Sequence, residues 1–123
     1  MNYSDQFSHI NDDECRRFQS AVELAGGKWT GAVLLAGARG AQRFSEYRLM
    51  IEGISDRLLT ARLRELEREG LIERRVQPTT PVLITYTLTL EGRELIALLH
   101  PLVQWSRARN DVRTKTRAET RTG

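Results

Sequence analysis

Residues 55–88 read SDRLLTARLRELEREGLIERRVQPTTPVLITYTL, and this stretch decides the fold. Its first part has the pattern of an amphipathic helix. Ser55 is a favourable N-cap residue, and Gly70 followed by an apolar residue is a typical helix stop. Three leucines between these positions recur at helical spacing and are expected to face a core: Leu59, Leu63 and Leu66.

A different set of side chains shares the opposite side of this helix. At spacings of three and four residues, that side carries Arg57, Thr60, Ala61, Arg64 and Arg68. Arginine and threonine can reach base edges and phosphates in a DNA major groove, and no carboxylate lies on this line. A solvated surface is the simpler alternative for a charged face. We expect the helix of residues 55–69, capped by Ser55, to bind DNA.

The remainder of the stretch predicts a β-hairpin. Apolar residues alternate along two segments, at Ile72 and Val76 and then at Val82, Ile84, Tyr86 and Leu88. Pro78 and Pro81 bound the tip, where they prevent ladder hydrogen bonds. Upstream, a short helix over residues 45–51 and a turn at Gly53 precede the DNA-binding helix. This order predicts a winged helix-turn-helix, a mainly α fold with a small β-hairpin wing.

Further arginines flank the expected DNA-binding helix. Arg74 and Arg75 lie at the base of the hairpin, and Arg43 precedes the short helix. We include these three side chains in the predicted surface for double-stranded DNA. The overall positive charge is a weaker indication of DNA binding than these arginines. Residues 107–123 hold six basic and two acidic residues, a net charge of +4, whereas the other 106 residues carry a net charge of −1. The high isoelectric point is therefore a property of the tail.

Length and composition predict one domain with two flanking segments. In this chain of 123 residues, we expect a flexible arm at residues 1–10, a winged domain with its dimerisation helices at residues 11–106, and a basic disordered tail at residues 107–123. A single cysteine excludes an internal disulfide and fits a reducing compartment, and no apolar run reaches membrane-spanning length. These features predict a cytoplasmic protein that does not contact membranes.

The first and last helices have more apolar surface than one small domain usually covers. The last helix, predicted from a Thr89 cap through Trp105, has one stripe that we expect to face the domain: Leu95, Leu98, Leu102 and Trp105. Other apolar residues of this helix, together with two from the first helix, are expected to form a homodimer interface: Phe18, Val22, Ile96, Leu99 and Val103.

Several short motifs follow one another in a specific order along the chain. They are GGKWT at 26–30, RFSE at 43–46, GIS at 53–55, LRELE at 63–67, GLI at 70–72 and Tyr86-x-Leu88-Thr89-x-x-Gly92, with Cys15 ahead of them. Together they resemble the HxlR-type transcriptional regulators, a MarR-like group. The resemblance covers residues 14–105 and implies a homodimeric winged-helix regulator whose recognition helix is residues 55–69. It also implies that the first and last helices build the dimer interface.

Cys15 is the one reactive candidate in the sequence. If Asp12 or Asp13 caps the first helix, the thiol lies in the first turn, where the helix dipole favours a thiolate. Arg16 and Arg17 would act in the same direction. Because several members of the resembled family look like thiol-based sensors of quinones, aldehydes or oxidants, the resemblance implies a sensor of electrophile or redox stress. A small buried side chain at the dimer interface is one alternative, and control by a small-molecule ligand is another.

No enzymatic chemistry emerges from the sequence. His9 and His100 have no cysteine or carboxylate at ligand spacing, and the glycine pair at 26–27 joins two helices instead of following a strand as phosphate loops do. We expect no cofactor, metal or catalytic residue. Two functions remain, a sequence-specific regulator that binds an inverted-repeat operator and a winged-helix protein-interaction module without specific DNA reading. The arginine face favours the regulator, because a protein-binding face would expose apolar residues.

Overall fold

The structure, a computed structural model, describes the backbone of residues 6–122 and the side chains of residues 6–118. Its helices are α1 (Asp12–Ala25), α2 (Thr30–Ala38), α3 (Phe44–Met50), α4 (Asp56–Arg68) and α5 (Leu90–Thr122). Strands β1 (Ile72–Gln77) and β2 (Leu83–Leu88) form an antiparallel hairpin in which Ile72 pairs with Leu88. This order of elements confirms the predicted winged helix-turn-helix.

The core lies between α2, α3, α4 and the start of the hairpin. The three leucines predicted to face it, Leu59, Leu63 and Leu66, are buried, and they belong to one cluster with Tyr47 of α3 and Ile72 of β1. Full burial of an aliphatic or aromatic side chain contributes roughly 1.5–3 kcal/mol. These contacts therefore fix α4 on the domain and leave its opposite side in solvent.

Both ends of α4 are formed as the sequence predicts. The Ser55 hydroxyl oxygen accepts a hydrogen bond from the backbone N–H of Leu58 at 3.1 Å, which caps the first turn. Gly53 in the preceding turn and Gly70 after the helix have φ angles of 85° and 76°, a left-handed backbone that glycine adopts without strain. These two ends set the direction of α4 relative to α3 and the hairpin.

The wing is tied to the helical part of the domain through the backbone of Tyr86. Its N–H donates to the carbonyl oxygen of Gln42 at 2.6 Å, and its carbonyl oxygen accepts from the Tyr47 hydroxyl at 2.8 Å. Burial raises the pKa of Tyr47 to about 12, and the Glu46 carboxylate acts in the same direction. The hydroxyl therefore remains a protonated donor at neutral pH and holds β2 against α3.

Thr89 joins the end of α4 to the start of α5. Its backbone N–H donates to the carbonyl oxygen of Leu71 at 3.0 Å, and its hydroxyl donates to the carbonyl oxygen of Gly70 at 2.6 Å. The same hydroxyl oxygen accepts from the N–H of Gly92 at 3.1 Å and so caps α5, as the sequence predicts. One side chain thus links the two helix ends.

The prediction of a disordered basic tail is wrong for residues 107–122, because α5 continues without a break to Thr122. The segment has the polar composition of a solvated chain. No glycine or proline interrupts it, however, and its most frequent residue is arginine, which has high helix propensity. The guanidinium of Arg109 also lies 5.1 Å from the centre of the Trp105 ring, one turn earlier.

Part of the predicted flexible arm, residues 1–5, lies outside the described residues, as does residue 123. In residues 6–10, the N–H of Ile10 donates to the carbonyl oxygen of Phe7 at 3.1 Å and forms a turn before α1. Within residues 6–122, none of the helices combines the length and the apolar character that crossing a membrane requires.

The last helix faces its own domain with a different side from the one predicted. Its inner side consists of apolar residues that pack against the core or are half-buried: Leu95, Ile96, Leu99 and Val103. Three of the four residues expected to face the domain are instead exposed: Leu98, Leu102 and Trp105. The outward orientation predicted for Ile96, Leu99 and Val103 is therefore wrong. Both apolar stripes of α5 recur with the helical period, so the period alone does not indicate which stripe faces the domain. The Thr89 junction fixes the orientation of α5 and so decides which one does.

Gly92 provides a test of this junction. A Cβ atom at position 92 would overlap the carbonyl oxygen of Leu71. We expect Gly92→Ala to lower the free energy of unfolding by about 1–3 kcal/mol, because α5 must move away from the hairpin. Gly31→Ala in α2 is the matched control, since none of the described residues places an atom from outside the adjoining helical backbone within 4 Å of its Cβ position. Its higher helix propensity should raise stability by about 0.5–1 kcal/mol. Urea unfolding measures both, and equal shifts would contradict the role of Gly92.

Candidate nucleic-acid interface

The exposed side of α4 carries the residues that the sequence predicts for DNA binding. Arg57, Arg64 and Arg68 are exposed, Ala61 is exposed between them, and Thr60 is half-buried at the edge. In the described part of the chain, no carboxylate forms an ion pair with any of these three guanidinium groups. Unpaired guanidinium groups on a protruding helix can bind phosphates or the acceptor atoms of guanine.

Two carboxylates of α4 form ion pairs away from this face. Asp56, in the first turn, pairs with Arg48 of α3 at 3.4 Å, and Glu65 pairs with Arg62 on the flank of the helix. Both arginine partners lie off the exposed line. The positive charge of that line is therefore not neutralised by these acidic neighbours.

Arg48 is a candidate contact that the sequence analysis missed. Its side chain is half-exposed and lies beside the start of α4 through its ion pair with Asp56. Such a position at the edge of a recognition helix suits a phosphate contact. The two residues approach each other only because α3 and α4 fold across the turn at Gly53. No period or motif in the sequence relates them.

The wing arginines are both exposed on β1. Arg74 pairs in register with Tyr86 of β2, whereas Arg75 Nε donates to Glu73 Oε1 at 3.0 Å. An exposed ion pair of this kind contributes little free energy, because water competes for both partners. The Arg75 guanidinium can therefore leave the Glu73 carboxylate and bind a DNA phosphate instead.

Arg43 lies beside the tip of the wing. Glu46 Oε1 accepts hydrogen bonds from the backbone N–H groups of Arg43 at 2.8 Å and Gln42 at 3.3 Å, and these bonds lower the pKa of Glu46. This carboxylate caps α3 and leaves the Arg43 side chain exposed. Arg43 lines an open groove of about 590 Å³ between the start of α3 and residues 79–84 of the wing.

Cys15 is exposed on α1. It lines an open, mainly apolar groove of about 650 Å³, and Phe7, Ile10 and Phe18 form other parts of the wall. The alternative interpretation, a small side chain buried at the dimer interface, concerns a second copy and is not tested by this exposure. A reagent in solution can reach the exposed thiol.

The charged neighbours of Cys15 are occupied with one another. Asn11 caps α1, since its side-chain oxygen accepts from the backbone N–H of Glu14 at 2.8 Å. Asp13 forms an ion pair with Arg16, and its carbonyl oxygen accepts from Arg17 Nε at 3.4 Å. The two arginines predicted to favour a thiolate are thus engaged by Asp13.

An unpartnered apolar surface extends over α1 and α5. Phe18 and Val22, predicted for the dimer interface, are 68% and 51% exposed. Leu98, Leu102 and Trp105 of α5 are exposed as well. Apolar side chains of this number on two helices indicate a surface that another molecule covers.

Comparison with known proteins matches residues 24–113 to the HxlR-like helix-turn-helix family. The HTH-type transcriptional regulator YvaP of Bacillus subtilis strain 168 is 39% identical over 98 residues, which are 79% of this chain and 91% of YvaP. The structure of reduced YodB from B. subtilis superposes with a TM-score of 0.69 at 38% identity, over 75% of this chain and 90% of that chain. The redox regulator HypR in its reduced form gives a TM-score of 0.73 at 32% identity, over 80% of this chain and 98% of that chain.

The matched residues include α4 and the wing, so the similarity covers the same elements that present the exposed arginines. The chain belongs to the HxlR family of helix-turn-helix transcriptional regulators.

Proposed function

We propose that this protein is a cytoplasmic, homodimeric regulator that binds an inverted-repeat operator in double-stranded DNA through α4. One observation carries the proposal, namely that the exposed side of α4 presents Arg57, Arg64 and Arg68 without carboxylate partners among the described side chains. A major groove about 12 Å wide admits an α-helix, and arginines on that helix can bind both guanine edges and phosphates. Ser55, Thr60 and Ala61 complete the contact surface.

The arginines outside α4 have a different role in this proposal. Arg43, Arg74 and Arg75 are exposed at the start of α3 and on the wing. Contacts from such positions reach the phosphate backbone, where they fix the position of the protein but do not distinguish bases. Sequence preference is therefore assigned to α4 and general affinity to the wing.

A protein-interaction module without specific DNA reading is the second candidate. Interfaces of that kind expose aromatic or aliphatic side chains at their centre. Between Arg57 and Arg68, the exposed line of α4 has only Ala61 as an apolar residue, whereas the leucines of the helix that point to the core are buried. The composition of the face favours DNA as the partner.

The homodimer is supported by the exposed apolar side chains of α1 and α5. They are Phe18, Val22, Leu98, Leu102, Trp105 and Val112. A two-fold axis would cover the same patch on both copies and would present two α4 helices to two half-sites. An inverted repeat is the DNA symmetry that matches this arrangement.

We further propose Cys15 as the site of a response to electrophiles or oxidants. Its exposure and its apolar groove give an organic reagent access to the thiol. Among the similar structures, YodB is known in reduced and diamide-treated forms and HypR in reduced and oxidised forms. A groove of this volume also suits a non-covalent small molecule, which is the alternative effector.

The proposed dimer predicts a mass in solution. Sedimentation equilibrium at micromolar concentration should give about twice the 14.1 kDa of one chain. Leu102→Glu should shift the protein toward the monomer, because a charge would be buried in the interface. Leu49→Glu, at an exposed leucine of α3, is the control and should leave the mass unchanged. A monomeric wild-type protein would contradict the proposal.

Because sequence preference is assigned to α4 and general affinity to the wing, substitutions in the two elements should weaken DNA binding in different ways. Arg64→Ala should weaken binding to the preferred site by about 1–3 kcal/mol and relax the preference at particular bases. Arg75→Ala should weaken binding to all sequences alike and reduce its salt dependence. Selection from a random DNA pool followed by titration measures both effects. Arg16→Ala on α1 serves as the control, and unchanged binding in both test variants would show that the face is wrongly assigned.

The Cys15 proposal predicts that DNA affinity changes after treatment with diamide or a quinone. With one cysteine per chain, diamide can oxidise two Cys15 thiols to a disulfide between two subunits and is itself reduced to the hydrazine, whereas a quinone forms a thioether adduct with one thiol. Each of these changes the contacts of α1 and hence the spacing of the two α4 helices. Affinity should fall in the wild type and stay constant in Cys15→Ser. If the two proteins respond alike, the effector acts elsewhere.

A further inference from the structure

The side of α5 that faces the domain changes its character where the helix leaves the domain. Up to Val103 this side is apolar, and Ile96 and Leu99 pack against the core. At the same spacing of three and four residues, it continues with exposed polar and basic residues: Ser106, Asn110, Arg113 and Arg117. We call these four residues, together with Arg109 at their edge, the basic side of α5.

The positive charges of the basic side are not neutralised within the chain. Among the described side chains, no carboxylate forms an ion pair with Arg109, Arg113 or Arg117. Within residues 106–118 the acidic residue is Asp111, and its position in the sequence places it on another side of the helix. Like charges four residues apart repel each other and oppose the helix. An anion that binds these arginines would remove that repulsion.

We propose that the basic side of α5 binds the phosphate backbone of double-stranded DNA without regard to base sequence. The inference rests on the DNA binding of the proposed function and adds a contact to those of α4 and the wing. Arginine, serine and asparagine are among the side chains that contact phosphate oxygens in protein–DNA complexes. All the residues of the basic side are of these three types.

The spacing of the arginines fits a row of phosphates. Residues four apart in a helix are separated by about 6 Å along its axis. Each strand of a duplex carries one negative charge per about 3.4 Å of its axis, so alternate phosphates are separated by about 7 Å. The long side chains of Arg109, Arg113 and Arg117 accommodate this small difference. They can therefore bind alternate phosphates of one strand.

The attachment of α5 favours DNA as the source of these phosphates. The helix begins beside the end of α4, where the Thr89 hydroxyl donates to the carbonyl oxygen of Gly70. A duplex that is bound by α4 is therefore held close to α5. This raises its effective concentration for a second contact above that of any polyanion free in solution.

The residue types of the basic side disfavour a protein or a membrane as its partner. The centre of a protein interface is depleted of charged residues, and a helix that lies on a membrane needs a broad apolar face. Within residues 106–118 the one large apolar residue is Val112. It belongs with Trp105 to the exposed apolar surface already assigned to the dimer, away from Arg113 and Arg117.

Removal of two charges tests the contact in the full-length protein. The logarithm of a DNA-binding constant falls linearly with the logarithm of the salt concentration, with a slope of about 0.9 for each phosphate neutralised. Arg113→Gln combined with Arg117→Gln should therefore lower the slope by about 2 on a long duplex of unrelated sequence. Glutamine keeps a high helix propensity, and both side chains are exposed, so the fold should be retained. The base preference selected from a random DNA pool should not change.

Lys115→Gln and Arg117→Gln are a matched pair of single variants. Each removes one positive charge from an exposed side chain of the same helix, but the two positions lie on nearly opposite sides. Arg117→Gln should lower the salt slope by about 1, whereas Lys115→Gln should leave it nearly unchanged. Fluorescence anisotropy titrations at several salt concentrations measure both slopes. The comparison separates a direct contact from a general effect of net charge.

Amide hydrogen exchange gives a second measurement at the segment itself. The side chains of residues 107–118 are all exposed, so little packing opposes local opening and the amides should exchange quickly in the free protein. Addition of the unrelated duplex should slow their exchange in wild type and in Lys115→Gln. The slowing should be lost when Arg113→Gln and Arg117→Gln are combined.

The outcomes separate this contact from the function of α4. If the double variant keeps the wild-type slope, or if Lys115→Gln and Arg117→Gln shift it equally, the contact is overturned and base preference through α4 stands. If the double variant changes the mass in solution instead of the slope, the basic side binds a protein and the contact is also overturned. If the slope falls as expected but Arg64→Ala leaves base preference unchanged, the role of α4 fails and the contact stands. Wild type that does not bind DNA would overturn both.

Discussion

Three hydrogen bonds of Thr89 determine how the DNA-binding part of the molecule is joined to its outward apolar surface. Gly70 and Leu71 follow α4, so no helical N–H group is available to donate a hydrogen bond to their carbonyl oxygens. Thr89 donates to both of them and, in the same position, caps α5 through Gly92. Leu71 is buried, and a buried acceptor left without a partner costs about 1–3 kcal/mol, so other angles between α4 and α5 are disfavoured. The absence of a side chain at Gly92 lets the two backbones approach.

The wing is fixed by the same kind of constraint. Tyr86 is held on one side by the Gln42 carbonyl oxygen and on the other by the Tyr47 hydroxyl, while the leucines of α4 anchor the helix in the same core. The recognition helix and the wing are therefore positioned before any DNA binds. A surface that is already ordered loses less conformational entropy on binding, which leaves more of the contact energy for affinity.

Local patterns in the sequence were sufficient to predict α4 and the turns at its two ends. The cap at Ser55, the glycines at 53 and 70 and the leucine period of α4 each depend on neighbouring residues, and the structure confirms them. The helical state of residues 107–122 was missed, because composition describes solvation and not backbone conformation. The left-handed φ of 71° at Trp29 and the pairing of Arg48 with Asp56 also lack a local signal. Both depend on how separate segments meet.

The rotation of α5 was the most consequential error, and it has a clear physical origin. Two apolar stripes on one helix, one through Ile96 and Leu99 and one through Leu98 and Leu102, satisfy the same period. Only tertiary contacts can distinguish them, and here the Thr89 junction does so. The result reverses the assignment of inner and outer surfaces. It also places Trp105 and Arg109 on the outside.

This arrangement determines how chemistry at Cys15 can influence DNA binding. None of the residues of α1 is fully buried, and its packing on the core is through the half-buried Leu24 near the far end of the helix. A modified thiol near the start of α1 therefore leaves the core of its own subunit unchanged. In the proposed dimer, it changes the contact that α1 makes with the second copy. The proposed response to electrophiles therefore has to act through the spacing of the two α4 helices, which must match the two half-sites of the proposed operator.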